Sequence, residues 1–168
     1  MAENENTYDL ADLTHKLQGI RFTMFTTHQG EEMRARPMTT LEATEDGSLW
    51  FFGVRDSELT DEVAADSRVG LAYADNGAGT YAFVSGKGYL REDRAKVDEL
   101  WNPIHKAWYD GPEDPDLQLI EVRIQSAEYW DSPDSGIVRM VCVLRAAVTG
   151  EEHEVGTHGE VRGSAPSH

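Results

Sequence analysis

Apolar positions in this chain follow two different periods. Leu10, Leu13, Leu17 and Ile20 recur at steps of three and four, which predicts a helix with one buried stripe, capped by Thr7. From Ile20 the period drops to two. Ile20–Thr27 and Met33–Thr40 alternate on either side of His28-Gln29-Gly30, the pattern of a hairpin. A turn at Glu45–Ser48 leads into Leu49–Val54, which is apolar on both sides, as expected of a strand covered on both faces and central in its sheet. Ser57–Asp66 reads as a short helix with Leu59 and Val63 inward. Val69–Tyr73 and Tyr81–Leu90 are further strands, and Gly86 and Gly88 mark a bulge or a close backbone approach. Asp93 caps a helix bearing Val97, Leu100 and Trp101, which Pro103 ends or kinks, with Ile104 and Trp108 continuing its apolar stripe. In Leu117–Trp130, Leu119, Glu121 and Arg123 alternate with Ile120, Val122 and Ile124, which predicts one core face and one solvent face. Residues 137–148 fit strand and helix equally. Six or so short strands with few helices point to a mainly β domain built on a closed antiparallel sheet.

The ends differ from this middle. Residues 1–8 are expected to be a flexible N-terminus and 150–168 a disordered acidic tail, because neither holds enough apolar surface to bury. One domain over 9–149 remains, long enough for a core without covalent staples.

Charge narrows the partners. Fifteen Lys and Arg against 31 Asp and Glu give a net charge of −16, which repels nucleic acid and anionic membrane surfaces. A lone cysteine, Cys142, forms no internal disulfide, and the first residues lack the basic and apolar regions of a secretory signal. The expected location is the cytoplasm. Ile137–Val148, the densest apolar stretch, is broken by Arg139 and Arg145 and too short to span a bilayer, so no membrane segment is expected.

In so acidic a chain the segment Arg34-Ala35-Arg36-Pro37-Met38 stands out. Two arginines two apart on a strand share a face and suit a phosphate, or they neutralise carboxylates such as Glu31 and Glu32; the two readings stand level, since Pro37 implies an edge or an interruption of the strand, with free backbone groups. Ser57 begins a helix whose first amides would either be capped by its hydroxyl or bind an anion. Trp130 is the aromatic best placed to stack on a planar ring, although aromatics are more often core. No metal site is expected, because His15, His28 and His105 lack ligand spacing. No catalytic triad, phosphate loop or dinucleotide fingerprint is present.

The ordered set Arg36-Pro37-Met38, Leu49-Trp50-Phe51-Phe52, Ser57, Tyr81, Val84-Ser85-Gly86, Leu100-Trp101-Asn102-Pro103, Lys106-Ala107-Trp108, Asp114-Pro115 and Ala127-Glu128-Tyr129-Trp130-Asp131 resembles the bacterial general stress protein family within the pyridoxamine 5'-phosphate oxidase-like split barrels. That resemblance implies a six-stranded antiparallel FMN-binding split barrel with flanking helices, paired as a homodimer with flavin at the subunit interface. FMN is the implied cofactor, ahead of FAD or a deazaflavin. By the same resemblance, Arg36, Pro37, Met38 and Thr39 would run beside the flavin, Phe51, Phe52 and Gly53 would line its ring and ribityl chain, and Ser57 would meet its phosphate. Tyr81 and Trp130 would approach across the dimer.

Two departures bear on function. The family's helix start reads Ser, any residue, Lys, and here the third position is Leu59. Losing a charge-assisted contact there costs on the order of 1.5 to 3 kcal/mol, or about one to two decades of affinity. After Trp130 the chain lacks the arginine and histidine that hold substrate in true pyridoxamine phosphate oxidases, so that activity is not expected. The expectation is an FMN-binding stress-type protein with flavin-dependent oxidoreductase activity left open. The rivals are a dedicated flavin or deazaflavin enzyme with substrate near Trp101, Trp108 and Trp130, and a cofactor-less interaction module.

Overall fold

The computed structural model describes residues 9–131, 138–144 and 157–162. Thr7 and the flexible N-terminus expected over 1–8 lie outside them. Helix α1 (Leu10–Gln18) is capped by Asp9, whose side chain accepts from the Asp12 amide at 2.8 Å. It buries Leu13 and Leu17 in the main core, as its stripe predicted.

The hairpin follows as β1 (Phe22–Gln29) and β2 (Glu32–Thr39), joined by Gly30 at φ 63°, which glycine adopts without strain. A two-residue β3 (Glu42–Ala43) precedes β4 (Ser48–Val54), and α2 (Glu58–Ala65) leads to β5 (Arg68–Asp75) and β6 (Thr80–Arg91). Then come α3 (Arg94–Leu100), capped by Asp93 as expected, a 3-10 turn at Pro103–Ala107, and β7 (Leu117–Asp131). The stretch that periodicity left ambiguous is a strand, β8 (Val138–Leu144). A further strand, β9 (Thr157–Arg162), pairs with it inside the region read from composition as a disordered tail. Ladder hydrogen bonds come from the backbone, so a segment poor in apolar side chains can still add to a sheet edge. The rest of 150–168 lies outside the described residues.

The sheet is antiparallel, in the order β2-β1-β5-β6-β7-β4-β3, with β8 and β9 beyond this path on β7. This is mainly antiparallel sheet with flanking helices, as expected, but seven strands rather than six form the main path, and among the described residues no hydrogen-bonded ladder closes it. Instead the two ends of the path are one stretch of chain. The Thr40 amide still donates to Arg21 of the β1 side (2.9 Å), whereas the Leu41 amide donates to Trp50 on β4 (2.9 Å). Between Thr40 and Leu41 the chain therefore changes partners and bridges the sheet covalently. Buried Tyr73 anchors that bend, with its phenol 2.9 Å from the Thr40 hydroxyl.

Gly86 sits at a register shift between β6 and β7, where an added Cβ would lie 2.4 Å from the Arg123 carbonyl oxygen. The backbone approach inferred from Gly86 is thus literal. Two expectations need correction. Strand β4 is covered on both faces yet lies next to the end of the sheet, because α3 and the 3-10 turn supply its outer cover. Strand β7 has no solvent face in its first half, since Leu119 and Glu121 are as buried as Ile120 and Val122. The same outer layer explains Leu119. Glu121 is tolerated because Ser48, Arg91 and Arg123 all donate to it. Among the described residues no helix is long and apolar enough to cross a membrane.

Candidate functional site

From the bend at Leu41 two strand edges diverge without pairing. One is the outer edge of β2 and the other is β4 beyond Trp50, where β3 has ended. Between them lies a V-shaped groove. Its narrow end is a cavity of about 510 Å³ lined by Arg21, Phe22, Pro37, Met38, Thr39, Leu41, Phe52 and the aromatic corner His105, Trp108 and Tyr109 with Ile104. Its wide end, about 460 Å³, is lined by Arg36, Met38, Phe52, Gly53, Val54, Tyr109 and the start of α2 at Ser57, Glu58 and Leu59. Met38, Phe52 and Tyr109 are common to both, so the two ends form one elongated site.

Each wall follows from local sequence. Pro37, which has no amide hydrogen, sits on an edge strand as inferred. Asp56, at φ 53°, turns the chain sharply from β4 into α2 and directs the helix start at the groove. Ser57 and Thr60 cap that helix reciprocally: the Ser57 amide donates to the Thr60 hydroxyl at 3.0 Å, and the Thr60 amide to Ser57 Oγ at 3.4 Å. The amides of Glu58 and Leu59, in the first turn, have no carbonyl within the helix to reach.

The aromatic corner is a packed unit. Phe52 meets His105 edge-on at 5.1 Å and Tyr109 at 6.3 Å, and Trp101 backs it at 6.4 Å. His105 Nδ1 accepts from the Asn102 amide at 3.0 Å, so the neutral ring carries its proton on Nε2. Burial, and then the charge of Arg21, lowers its pKa from 6.5. Burial and the nearby Asp114 push the Tyr109 phenol up to about 12. At neutral pH both are uncharged hydrogen-bond groups in an apolar wall. Ile104 and Trp108, expected to prolong a buried stripe, are instead 51% and 71% exposed, because the 3-10 turn after Pro103 breaks the helical phase.

The paired arginines face α2. Arg36 donates to Thr27 at 2.6 Å and to Glu62 at 2.7 Å; Arg34 donates to Glu58 at 2.9 Å and lies 3.5 Å from Glu62. Their carboxylate partners are therefore on the helix, and not Glu31 and Glu32. Glu62 is only 5% exposed. Burial would raise its pKa, but hydrogen bonds from Thr27 and Arg36 and the charges of Arg36 and Arg34 outweigh this and lower it.

Of the ten residues expected at a cofactor site, the groove gathers Arg36, Pro37, Met38, Thr39, Phe52, Gly53 and Ser57. The side chain of Phe51 is not among them: it is fully buried against Phe25, because neighbours on a strand face opposite sides. Tyr81 and Trp130 are cross-strand partners on β6 and β7, away from the groove of their own chain. Arg21, Glu62, His105 and Tyr109 were missed. Glu62 is four residues after Glu58 and so shares its helix face, a spacing that could have matched it to Arg34 and Arg36.

A family model described as pyridoxamine 5'-phosphate oxidase like matches residues 9–154. The chain is 29% identical over 163 residues to the Neurospora crassa protein bli-3, covering 89% of this chain and 78% of that one. It is similar to the general stress FMN/FAD binding protein from Xanthomonas citri (28% identity, TM-score 0.64, 86% of this chain and 99% of that one). The fold also matches General Stress Protein 26 from Bacillus anthracis (22% identity, TM-score 0.62, 71% and 90%). With a split sheet, a groove in the split and a family match over most of its length, the chain belongs to the pyridoxamine 5'-phosphate oxidase-like family, among its general stress proteins.

Proposed function

We propose that this chain is a flavin-binding protein that holds an isoalloxazine ring in the groove between β2 and β4, with FMN as the form to test first. One observation carries the reading: an apolar slot flanked by two unpaired strand edges continues into an end bearing Arg36 and the first amides of α2. The residues fit the ring and the polyhydroxyl chain. Met38, Phe52 and Tyr109 offer flat apolar contact, strand edges offer backbone donors and acceptors, and His105 offers a neutral N–H. The phosphate end fits only in part, since Arg36 is already paired and Leu59 brings no charge. A bound flavin would supply hydride and electron transfer; the chain's own residues orient it and shield one face from water.

A homodimer is part of this proposal. Pro37, Met24, Ala72 and Phe83 form one rung across four strands and point outward, and Phe22 and Tyr81 extend the same apolar face. Phe22 and Pro37 also line the groove, so a second copy on this face would border the site and could bring its Tyr81 and Trp130 near it. The exposed Trp108 and Ile104 at the rim favour a second reading, a flavin-dependent oxidoreductase acting on a small apolar substrate.

Protein purified without added cofactor is expected to release flavin on denaturation, or to gain thermal stability when FMN is added. Colourless protein whose melting temperature is unmoved by FMN, FAD or a deazaflavin would leave only the interaction module. Flavin-dependent NAD(P)H oxidation above the free-flavin rate would support the second reading.

A further inference from the structure

The wide end of the groove, where a flavin's terminal phosphate would fall, has its charges already balanced. Arg34 and Arg36 face Glu58 and Glu62 in one connected group, two cations against two anions. Only Arg36 and Glu58 of these four line the groove. Arg36 is turned back onto buried Glu62, whereas the Glu58 side chain, though paired with Arg34, is 79% exposed. Leu59 next to it is neutral. What remains for an anion is an Arg36 whose charge Glu62 already balances and the helix end, worth about half a positive charge, within a chain of net charge −16. A phosphate monoester carries roughly −1.5 to −2 at neutral pH, so it meets an exposed carboxylate at the place where binding it calls for a free cation. Hydroxyl groups meet no such repulsion: they can donate to Glu58 and accept from the α2 amides.

Resting on the flavin reading above, we propose that Glu58 is a specificity-determining residue that removes this site's preference for a phosphate, so that it binds a planar ring bearing a polyhydroxyl chain whether or not a phosphate ends that chain. The ring and the polyol, and not the phosphate, anchor the ligand. Riboflavin is then held about as tightly as FMN.

Titrating the full-length protein with riboflavin and with FMN, followed by quenching of flavin fluorescence, tests this directly. The expected dissociation constants agree within about tenfold, the equivalent of one modest interaction; a preference for FMN beyond that overturns the proposal. If neither flavin binds, the flavin reading itself fails and this inference with it. A second measurement needs no variant. Raising salt to about 0.5 M screens repulsion between exposed charges, so FMN should gain affinity relative to riboflavin, and a relative loss would reveal an attractive phosphate site. In E58Q, which removes the carboxylate and releases Arg34, FMN should gain roughly three- to tenfold in affinity relative to riboflavin. An unchanged ratio of the FMN and riboflavin dissociation constants between E58Q and the parent protein would deny Glu58 this role.

Discussion

Arg36 Nη2 lies 2.7 Å from Oε2 of Glu62, a carboxylate that is otherwise buried. Removing one partner of a buried ion pair strands the other, which costs more than the pair itself contributes. Arg36→Ala should therefore lower unfolding free energy by about 2 to 3 kcal/mol in urea titrations, beyond any effect on ligands. Combining it with Glu62→Gln should restore part of that loss. Simple additivity of the two substitutions would mean that the pair is not coupled.

The same pair sets an acid limit. Because the folded-state pKa of Glu62 is depressed below its ordinary 4.5, its contribution is fully present above that value and is lost as pH falls through the lower folded value. Melting temperature measured downward from pH 6 should fall below about pH 4.5, and Glu62→Gln should flatten this limb while lowering the plateau. An unchanged acid limb would assign it to other carboxylates, such as Glu121, whose pKa is also lowered.

Phe51 and Phe52 are neighbours with opposite duties. Phe51→Ala should cost about 3 to 5 kcal/mol of stability, the usual loss for a core phenylalanine. Phe52→Ala should cost less stability and most of the flavin affinity, read by fluorescence quenching. The reverse pattern would place the ring on the other side of β4.

Gly86→Ala should destabilise by 2 kcal/mol or more, on the order of a strained backbone contact, since its Cβ would run into the Arg123 carbonyl. Chemical denaturation reads this directly. A near-neutral outcome would mean that the bulge can relax.

Phe83→Glu places a charge in the exposed rung shared with Met24 and Pro37. Sedimentation velocity should then show a monomer, with weaker flavin binding. A monomeric parent protein would refute the homodimer, and a dimeric variant would move the interface elsewhere.

Much of the fold was readable from local pattern because its elements are locally determined. The α1 stripe, the β1–β2 hairpin and the Ser57 and Asp93 caps each depend on residues within a few positions, and the Gly86 bulge, though it is set against Arg123 on β7, is signalled by residue type alone. Burial of Leu119 was not readable, because it depends on α3 folding back from a separate stretch of chain, and that of Glu121 was not, because its partners Ser48 and Arg91 come from β4 and β6. At the site, Arg36 and Ser57 declared themselves by type and place. His105 and Glu62 did not: one works through a tautomer fixed by the Asn102 amide, the other through strands that lie far from it in sequence.

The bend at Thr40–Leu41 leaves the outer edges of β2 and β4 unpaired, and an unpaired edge invites a strand from another molecule. Pro37 interrupts one edge and α2 stands at the foot of the other, and among the described residues no strand pairs with the interval between them. On the flavin reading proposed above, a ligand in the groove would also cover these edges, and its removal should raise the protein's tendency to aggregate.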